Sequence, residues 1–297
     1  MDADATLWIG GLSIAVRPQA ADLFPAVTGP AATFWGASPP ARPTAVVAVD
    51  WAATPDPAWR KACAPLFASG GMWTLYRASD GGHYYEISSP VFGPQPYRTA
   101  WFDAEYQTGW VAYRPDPAVR RAIRAPLEYP LDELLTTNLL ARGRGVELHA
   151  CAVADVDGRG FLFVGQSGDG KTTTARLWSA AGATILSDDR VIVRKLRGQW
   201  VMFGTPWHGE AVFARPDSAP LTRVFVLRHG DGERATALTR AQAAALLFAR
   251  AFPPFYNAAA VDFTLELLGR LAGERPCEAL AFTPTPTAVD YVRRLRL

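Results

Sequence analysis

The sequence predicts a mixed α/β protein, with a smaller β-rich domain over residues 1–128 and an α/β domain over residues 129–297. Three observations predict it. Short apolar and aromatic segments typical of strands fill the first part, whereas helix-like and strand-like segments alternate in the second. A Pro- and Arg-rich stretch over residues 114–130 separates the two parts. A glycine-rich loop in the second part stands between an apolar strand and a helix, as phosphate-binding loops do.

The composition excludes several classes of protein. With 49% hydrophobic and 20% charged residues, the chain is too apolar to be disordered. The net charge of +2 gives no electrostatic case for a nucleic-acid or membrane-surface partner. The three cysteines are scattered, so neither a disulfide framework nor a zinc site is predicted. The start of the chain is acidic rather than basic, and no apolar run reaches membrane-spanning length, so we expect a soluble, cytoplasmic protein.

The first part divides into strands separated by prolines. Residues 8–16 alternate as one strand, and residues 45–51 form a compact apolar run. Two further strands, residues 72–77 and 83–88, flank the turn-forming residues 79–82, which predicts a hairpin. Residues 100–102 and 109–113 are two more candidate strands.

The second part mixes helices with strands. We expect helices over residues 131–140, 172–181 and 240–252, the last one stopped by two prolines. Strands are expected over residues 149–154, 160–164, 183–187 and 221–227, with a hairpin formed by residues 191–195 and 200–203.

Residues 165–172 fit the phosphate-binding pattern G-x-x-x-x-G-K-[ST], the P-loop or Walker A motif. Glycines let successive backbone N–H groups turn toward phosphate oxygens, and the following helix adds its dipole. The alternative is a glycine turn that merely contains a lysine, but the flanking strand and helix favour a nucleotide site. We therefore expect ATP to contact Gly165, Gln166, Ser167, Gly168, Asp169, Gly170, Lys171, Thr172 and Thr173, with the Thr172 hydroxyl on Mg²⁺.

The strand after this loop and its helix ends in Asp188 and Asp189. If the helix leads directly into that strand, the strand end lies beside the loop. Adjacent side chains on a strand point to opposite sides. One carboxylate would then hold Mg²⁺ while the other faces an attacking hydroxyl; the alternative is a turn with two solvated acids.

The stretch from His149 to Thr172, followed by residues 182–190, resembles the catalytic domain of HPr serine kinase/phosphorylase. That domain is similar in fold to the nucleotide-binding part of phosphoenolpyruvate carboxykinase. The resemblance covers residues 130–250 and implies that Asp189 is the general base. The pattern is also similar to the HPr-kinase-like proteins of peptide natural-product clusters, some of which phosphorylate a peptide hydroxyl. The residues that match the family motif are His149, Ser167, Lys171, Thr172, Asp188 and Asp189.

Residues 203–210 stand where that family carries a second signature, so the resemblance leaves the acceptor open. Glu210 is a candidate metal ligand and His208 a candidate contact to phosphate or substrate; the alternative is a packed aromatic with incidental polar neighbours. His149 either contacts the transferred phosphoryl group or is structural. Arg250 is either a transition-state arginine or a surface residue.

Together these features predict an ATP- and Mg²⁺-dependent kinase that phosphorylates a Ser or Thr hydroxyl of a protein or peptide. A nucleotide-dependent ATPase or switch, a small-molecule kinase and a carboxykinase-like enzyme stay open, as does a homo-oligomer. The predicted metal ligands are Thr172, Asp188 and Glu210, and the predicted catalytic residues are Asp189, Asp188, Lys171, His149 and His208.

Overall fold

The computed structural model describes residues 5–20, 23, 27–36, 40–51 and 63–295. The predicted mixed α/β class is confirmed, because the chain contains two large mixed sheets together with helices. The chain divides into two compact units: described residues up to Trp8 and over Leu12–Leu139 form the first, and Ile9–Gly11 with the residues from Leu140 onward form the second. None of the helices in the described ranges is long and apolar enough to cross a membrane.

The first unit is built on a nine-stranded sheet. Its strands are β1 (Ala5–Ile9), β2 (Leu12–Pro18), β3 (Trp35–Gly36), β4 (Ala45–Trp51), β5 (Ala64–Ala68), β6 (Trp73–Arg77), β7 (His83–Ile87), β8 (Arg98–Phe102) and β9 (Thr108–Tyr113). The order is β3-β1-β2-β4-β9-β8-β7-β6-β5. Strands β2, β4 and β9 run parallel, and β5 to β9 form an antiparallel meander. The predicted hairpin is confirmed as β6 and β7, where Trp73 pairs with Ile87 and Arg77 with His83.

The interpretation of residues 8–16 as one strand is wrong. Gly10 and Gly11 have φ values of 59° and 71°, and they end β1 and turn the chain into β2. Both values lie in the left-handed region, which glycine adopts without the steric penalty of a Cβ atom. Because apolar residues alternate on both sides of the two glycines, the sequence pattern alone does not indicate the turn.

Two helices follow the sheet of the first unit, α1 (Pro117–Ala122) and α2 (Leu131–Leu140). The sequence assigns α2 to the second domain, whereas the compact units separate after Leu139. The Asn138 side chain is bonded within the first unit, since its Nδ2 donates to the Tyr85 hydroxyl of β7 at 3.4 Å. A division inside a helix leaves no turn residues in the sequence to mark it.

The second unit is also built on a nine-stranded sheet. Its strands are β10 (Val146–Ala154), β11 (Gly160–Val164), β12 (Thr184–Ser187), β13 (Arg190–Leu196), β14 (Gln199–Phe203), β15 (Ser218–Pro220), β16 (Arg223–His229), β17 (Arg234–Ala237) and β18 (Cys277–Phe282). The order is β15-β14-β13-β10-β11-β16-β18-β17, with β12 paired to β10. Strands β11, β16 and β18 run parallel and the other pairs are antiparallel. The helices are α3 (Lys171–Ala180), α4 (Arg240–Phe248), α5 (Ala258–Glu274) and α6 (Thr287–Arg294).

Alternate residues of β10 divide the core of the second unit into two layers. Ala150 and Ala152 belong to the cluster that contains Leu247 of α4 and residues of α5. Cys151 belongs to the cluster that contains Trp178 of α3 and residues of α6. Because side chains of a strand alternate between its faces, helices cover both faces of this sheet.

The predicted helix over residues 240–252 is too long, since α4 ends at Phe248. Ala251 instead pairs with Leu148 of β10, and the N–H of Phe252 donates to the carbonyl of Glu147 at 3.0 Å. A residue that precedes proline is disfavoured in the helical region, and Phe252 precedes Pro253. Helix α5 was not predicted, although its Asn257 N-cap is a recognisable start signal.

The C-terminal helix α6 is fixed by an ion pair whose carboxylate is buried. Arg293 donates from Nε and Nη2 to Oδ2 and Oδ1 of Asp155 at 3.0 and 2.7 Å, and the Asp155 side chain is 1% exposed. Arg293→Ala leaves this carboxylate buried without its cation, so we expect the free energy of unfolding to fall by about 2 kcal/mol. Urea unfolding measures it, with the exposed neighbour Arg294→Ala as control. Equal losses in both variants would contradict the prediction.

Candidate functional site

The glycine loop, residues 165–170 between β11 and α3, encloses the ammonium group of Lys171. This lysine is 6% exposed, and its Nζ donates to the carbonyls of Gly165 and Gln166 at 3.1 and 2.8 Å. Oδ2 of Asp169 accepts the N–H of Gln166 at 2.5 Å and closes the loop. Burial lowers the pKa of Lys171, while the carboxylates of Asp189 and Asp169 act in the opposite direction. The loop is therefore folded around the ammonium group of Lys171.

Three glycines are needed for this loop conformation. Gly168 and Gly170 have φ values of 89° and 98°, in the left-handed region. A Cβ atom at Gly165 would lie 2.8 Å from Cβ of Asp169, closer than packed carbon atoms approach. Each of these positions would resist a side chain. Gly165 and Gly170 are the two glycines of the predicted motif, whereas Gly168 is an additional one.

Asp188 and Asp189 lie at the break between β12 and β13, and both of these strands pair with β10. His149 pairs with Arg190 and Ala152 with Ser187, so the two aspartates occupy the positions between these pairs. The N–H of Ala150 donates to the carbonyl of Asp189 at 3.0 Å. The backbone of the pair is thus fixed to β10, which also pairs with β11, the strand that leads into the glycine loop.

The Asp189 carboxylate is held at both oxygens. Nε2 of His149 lies 2.8 Å from Oδ1, and Nη1 of Arg190 donates to Oδ2 at 2.6 Å. Burial raises the pKa of Asp189, but the hydrogen bond from His149 and the charges of Arg190 and Lys171 outweigh it, so the pKa lies below its ordinary value. Asp189 is therefore ionised at neutral pH and fixed in direction.

Asp188 has different partners. It is 1% exposed, and its Oδ1 and Oδ2 accept the N–H groups of Gly209 and Ala211 at 2.8 and 2.9 Å. It therefore anchors the loop between β14 and β15. The carboxylates of the two aspartates therefore bind different partners. Each oxygen of Asp188 accepts one backbone N–H and keeps a second lone pair.

His208 and Glu210 lie in the loop that Asp188 anchors, and both are exposed. Nδ1 of His208 is 3.0 Å from the carbonyl of Gly209. Glu210 stands between the two amides that bind Asp188. The structure brings Lys171, His149 and the two aspartates together, whereas the side chains of His208 and Glu210 face solvent beside them.

The predicted metal ligands carry oxygen donors, a hydroxyl at Thr172 and carboxylates at Asp188 and Glu210. Within the described ranges, no group of three or more His, Cys, Asp or Glu side chains comes together in a way that could hold a metal ion. Mg²⁺ is typically held by one or two carboxylates with phosphate oxygens and water. The Thr172 hydroxyl and the Asp188 carboxylate are donors of that chemistry.

The main chain of His149 and Ala150 connects all parts of this site. The carbonyl of His149 accepts the N–H of Gly165, the first residue of the glycine loop, at 3.4 Å. The N–H of His149 donates to the carbonyl of Arg250 at 2.8 Å, and Ala150 binds Asp189 as described above. Strand β10 therefore positions the loop, the aspartates and residues 250–252 together.

The sequence did not reveal Arg190. Besides Asp189, its guanidinium contacts buried Glu147, with Nε 3.4 Å from Oε1, and lies 4.2 Å from the ring centroid of Phe252. Its position directly after the aspartate pair was the one available signal. Arg250, for which a surface role was an alternative, is 8% exposed and is therefore not a surface residue.

Comparison with known proteins gives partial similarities. A family model described as "SynChlorMet cassette protein ScmC" matches residues 134–262, less than half of the chain. No curated protein matches significantly. Among solved structures, the chain is similar to the Hpr(Ser) kinase/phosphatase from Coxiella burnetii, with a TM-score of 0.29 and 11% identity over 50% of this chain and 95% of that chain. A similarity at this level establishes neither a shared fold nor a shared activity.

Proposed function

We propose that this chain is an ATP-dependent kinase that transfers the γ-phosphoryl group to a Ser or Thr hydroxyl of a protein or peptide. One observation carries the proposal: a buried lysine in a glycine loop and a fixed, ionised aspartate lie close enough for their charges to act on each other. Lys171 lowers the pKa of Asp189, and Asp189 raises that of Lys171. A phosphate-binding cation beside a proton acceptor is what phosphoryl transfer to a hydroxyl requires.

Each residue then has a defined task. Lys171 binds phosphate oxygens, and the backbone N–H groups of the glycine loop surround them. Asp189 accepts the proton of the acceptor hydroxyl at whichever oxygen lone pair is not used by His149 or Arg190. Those two partners fix the direction of the carboxylate. A base of lowered pKa is adequate, because phosphoryl transfer depends more on positioning and charge stabilisation than on strong proton abstraction.

Mg²⁺, when bound, would neutralise charge on the β- and γ-phosphate oxygens. Thr172 and Asp188 would hold it, and exposed Glu210 stands on the same loop as the amides that bind Asp188. The buried position of Asp188 also keeps this loop in place beside Asp189. We therefore assign Asp188 two tasks, one toward the metal and one toward the loop.

The proposal is tested with the full-length protein, labelled ATP, Mg²⁺ and a cell extract, followed by mass spectrometry of phosphorylated residues. We expect a Ser- or Thr-phosphorylated protein or peptide with the native chain and with Asp262→Asn, an exposed acid of α5. It should be absent with Asp189→Asn. ATP hydrolysis at a rate independent of extract, without a phosphorylated product, would support an ATPase instead. If the chain binds no nucleotide, both the kinase assignment and the ATPase assignment are wrong.

A further inference from the structure

A buried carboxylate stands two residues before His149 on β10, and the proposed reaction does not use it. The side chain of Glu147 is 0% exposed. Residues two apart on a strand share a face, so Glu147 lies on the same face as His149 and Cys151. Leu148 and Ala150 belong to the core cluster on the other face. A carboxylate buried in this way is costly unless a cation lies beside it.

Arg190 of β13 supplies that cation. Its Nε lies 3.4 Å from Oε1 of Glu147, and its Nη1 donates to Oδ2 of Asp189 at 2.6 Å. A guanidinium is planar, and its N–H donors point in fixed directions. Because the two carboxylates contact different nitrogens of one guanidinium, they fix how that group is turned within its plane.

Phe252 restrains the same guanidinium from its flat side. The ring centroid of Phe252 lies 4.2 Å from Cζ of Arg190, and an aromatic face attracts a cation. The N–H of Phe252 donates to the carbonyl of Glu147 at 3.0 Å. Glu147 therefore contacts Arg190 directly through its side chain, and its main chain holds the residue whose ring covers Arg190.

We propose that Glu147 is a positioning residue, which holds Arg190 so that the guanidinium directs the carboxylate of Asp189; this inference rests on the proposed function. Arg190 and His149 bind the two oxygens of that carboxylate. An arginine free to turn would no longer direct Asp189 toward the acceptor hydroxyl. Because the side chain of Glu147 is fully buried, it acts through Arg190 rather than by contact with a substrate. Phosphoryl transfer depends on positioning, so Glu147 should affect the rate of transfer more than nucleotide binding.

The test combines two single variants of the full chain with their double variant. Glu147→Gln leaves Arg190 without this carboxylate, and Arg190→Gln leaves the buried carboxylate without this cation. Each change should lower the thermal midpoint of unfolding. Each should also lower single-turnover transfer by roughly 10- to 100-fold. In Glu147→Gln, MgATP affinity measured by calorimetry should stay within a few-fold of the native value.

The double variant separates positioning from stability. Glu147→Gln together with Arg190→Gln removes both charges, so its thermal midpoint should return toward the native value. Its transfer should remain as low as that of Arg190→Gln, because no guanidinium is left to direct Asp189. A residue with a structural role alone would recover both properties together.

Glu278→Gln is the matched control, because it breaks a comparable ion pair in the same sheet. Oε2 of Glu278 lies 3.1 Å from Nη1 of Arg223, and the two residues stand near the starts of β16 and β18. Strand β16 runs parallel to β11, and the glycine loop follows the end of β11, so this pair lies at the opposite edge. Glu278→Gln should lower the thermal midpoint and leave transfer unchanged.

The outcomes separate this inference from the proposed function. If Glu147→Gln transfers phosphate as Glu278→Gln does, the positioning role is wrong although the kinase assignment stands. If transfer by the double variant recovers together with its thermal midpoint, Glu147 contributes to stability alone and the inference is also wrong.

If the native chain transfers no phosphate, the proposed function fails, and NMR spectroscopy tests the contact itself. The Nε–H signal of Arg190 is assigned from its loss in Arg190→Gln. Its exchange with water should be faster in Glu147→Gln than in Glu278→Gln, because the neighbouring carboxylate is gone. Equal exchange rates in the two variants would overturn the inference.

Discussion

Asp189→Asn is expected to reduce phosphoryl transfer by roughly 10²- to 10⁴-fold while MgATP affinity changes by no more than about a few-fold. The amide has nearly the volume of the carboxylate, and its oxygen can still accept from Arg190. Its NH₂ group can bond to His149 only as a donor, to the unprotonated Nε2 of the other imidazole tautomer. It cannot accept the proton of the acceptor hydroxyl. Because Lys171 and the glycine loop are unaltered, nucleotide binding should persist.

Single-turnover transfer and calorimetric MgATP binding measure the two effects, with Asp262→Asn as the matched control.

Asp188→Asn should behave differently, because its new NH₂ group would face the N–H of Gly209 or of Ala211. We expect a higher Mg²⁺ requirement together with a lower thermal midpoint. If Asp189→Asn shows the metal defect and Asp188→Asn the pure rate defect, the two roles are exchanged. If neither variant loses transfer, the kinase mechanism is wrong.

Lys171→Ala is expected to weaken ATP binding by about 1.5–3 kcal/mol, or roughly 10- to 100-fold. The ammonium is the cation enclosed by the glycine loop, and its removal deprives the phosphate oxygens of a charge-assisted partner. It also removes the hydrogen bonds to the carbonyls of Gly165 and Gln166. The first loss weakens ATP binding directly, whereas the second affects the loop with or without ATP.

Isothermal titration calorimetry measures this effect, and Lys195→Ala is the matched control. Lys195 lies on β13, outside the glycine loop, and its Nζ is 2.6 Å from Oε2 of Glu274. Its removal should leave ATP affinity unaltered. Unchanged affinity in Lys171→Ala, in a chain whose thermal midpoint equals that of the native protein, would remove the nucleotide-site assignment.

The sequence predicts those parts of the site whose structure depends on neighbouring residues in the chain. Strand β11 and helix α3 flank the glycine loop within one residue of their predicted bounds, since apolar runs and glycines specify them. The separate directions of the Asp188 and Asp189 carboxylates follow from the alternation of an extended chain.

The other parts depend on strand pairing, which no local pattern encodes. His149 and Asp189 meet because β10 pairs with β13 in a register that places His149 opposite Arg190. Arg250 falls inside the predicted helix, yet residues 250–252 leave the helix and join β10, where the sheet edge supplies hydrogen-bond partners. The β-sheet edge thus overrode the helical pattern of the sequence.

The main-chain hydrogen bonds of His149 and Ala150 have a consequence for how such a site diverges. A backbone amide or carbonyl bonds in the same way whichever side chain its residue carries. Substitutions at positions 149 and 150 can therefore alter the chemistry while the glycine loop, the aspartate backbone and residues 250–252 stay in register. The framework of the site and its side-chain chemistry can therefore change independently, because the main-chain hydrogen bonds hold the glycine loop and the aspartate backbone whichever side chains stand at these two positions.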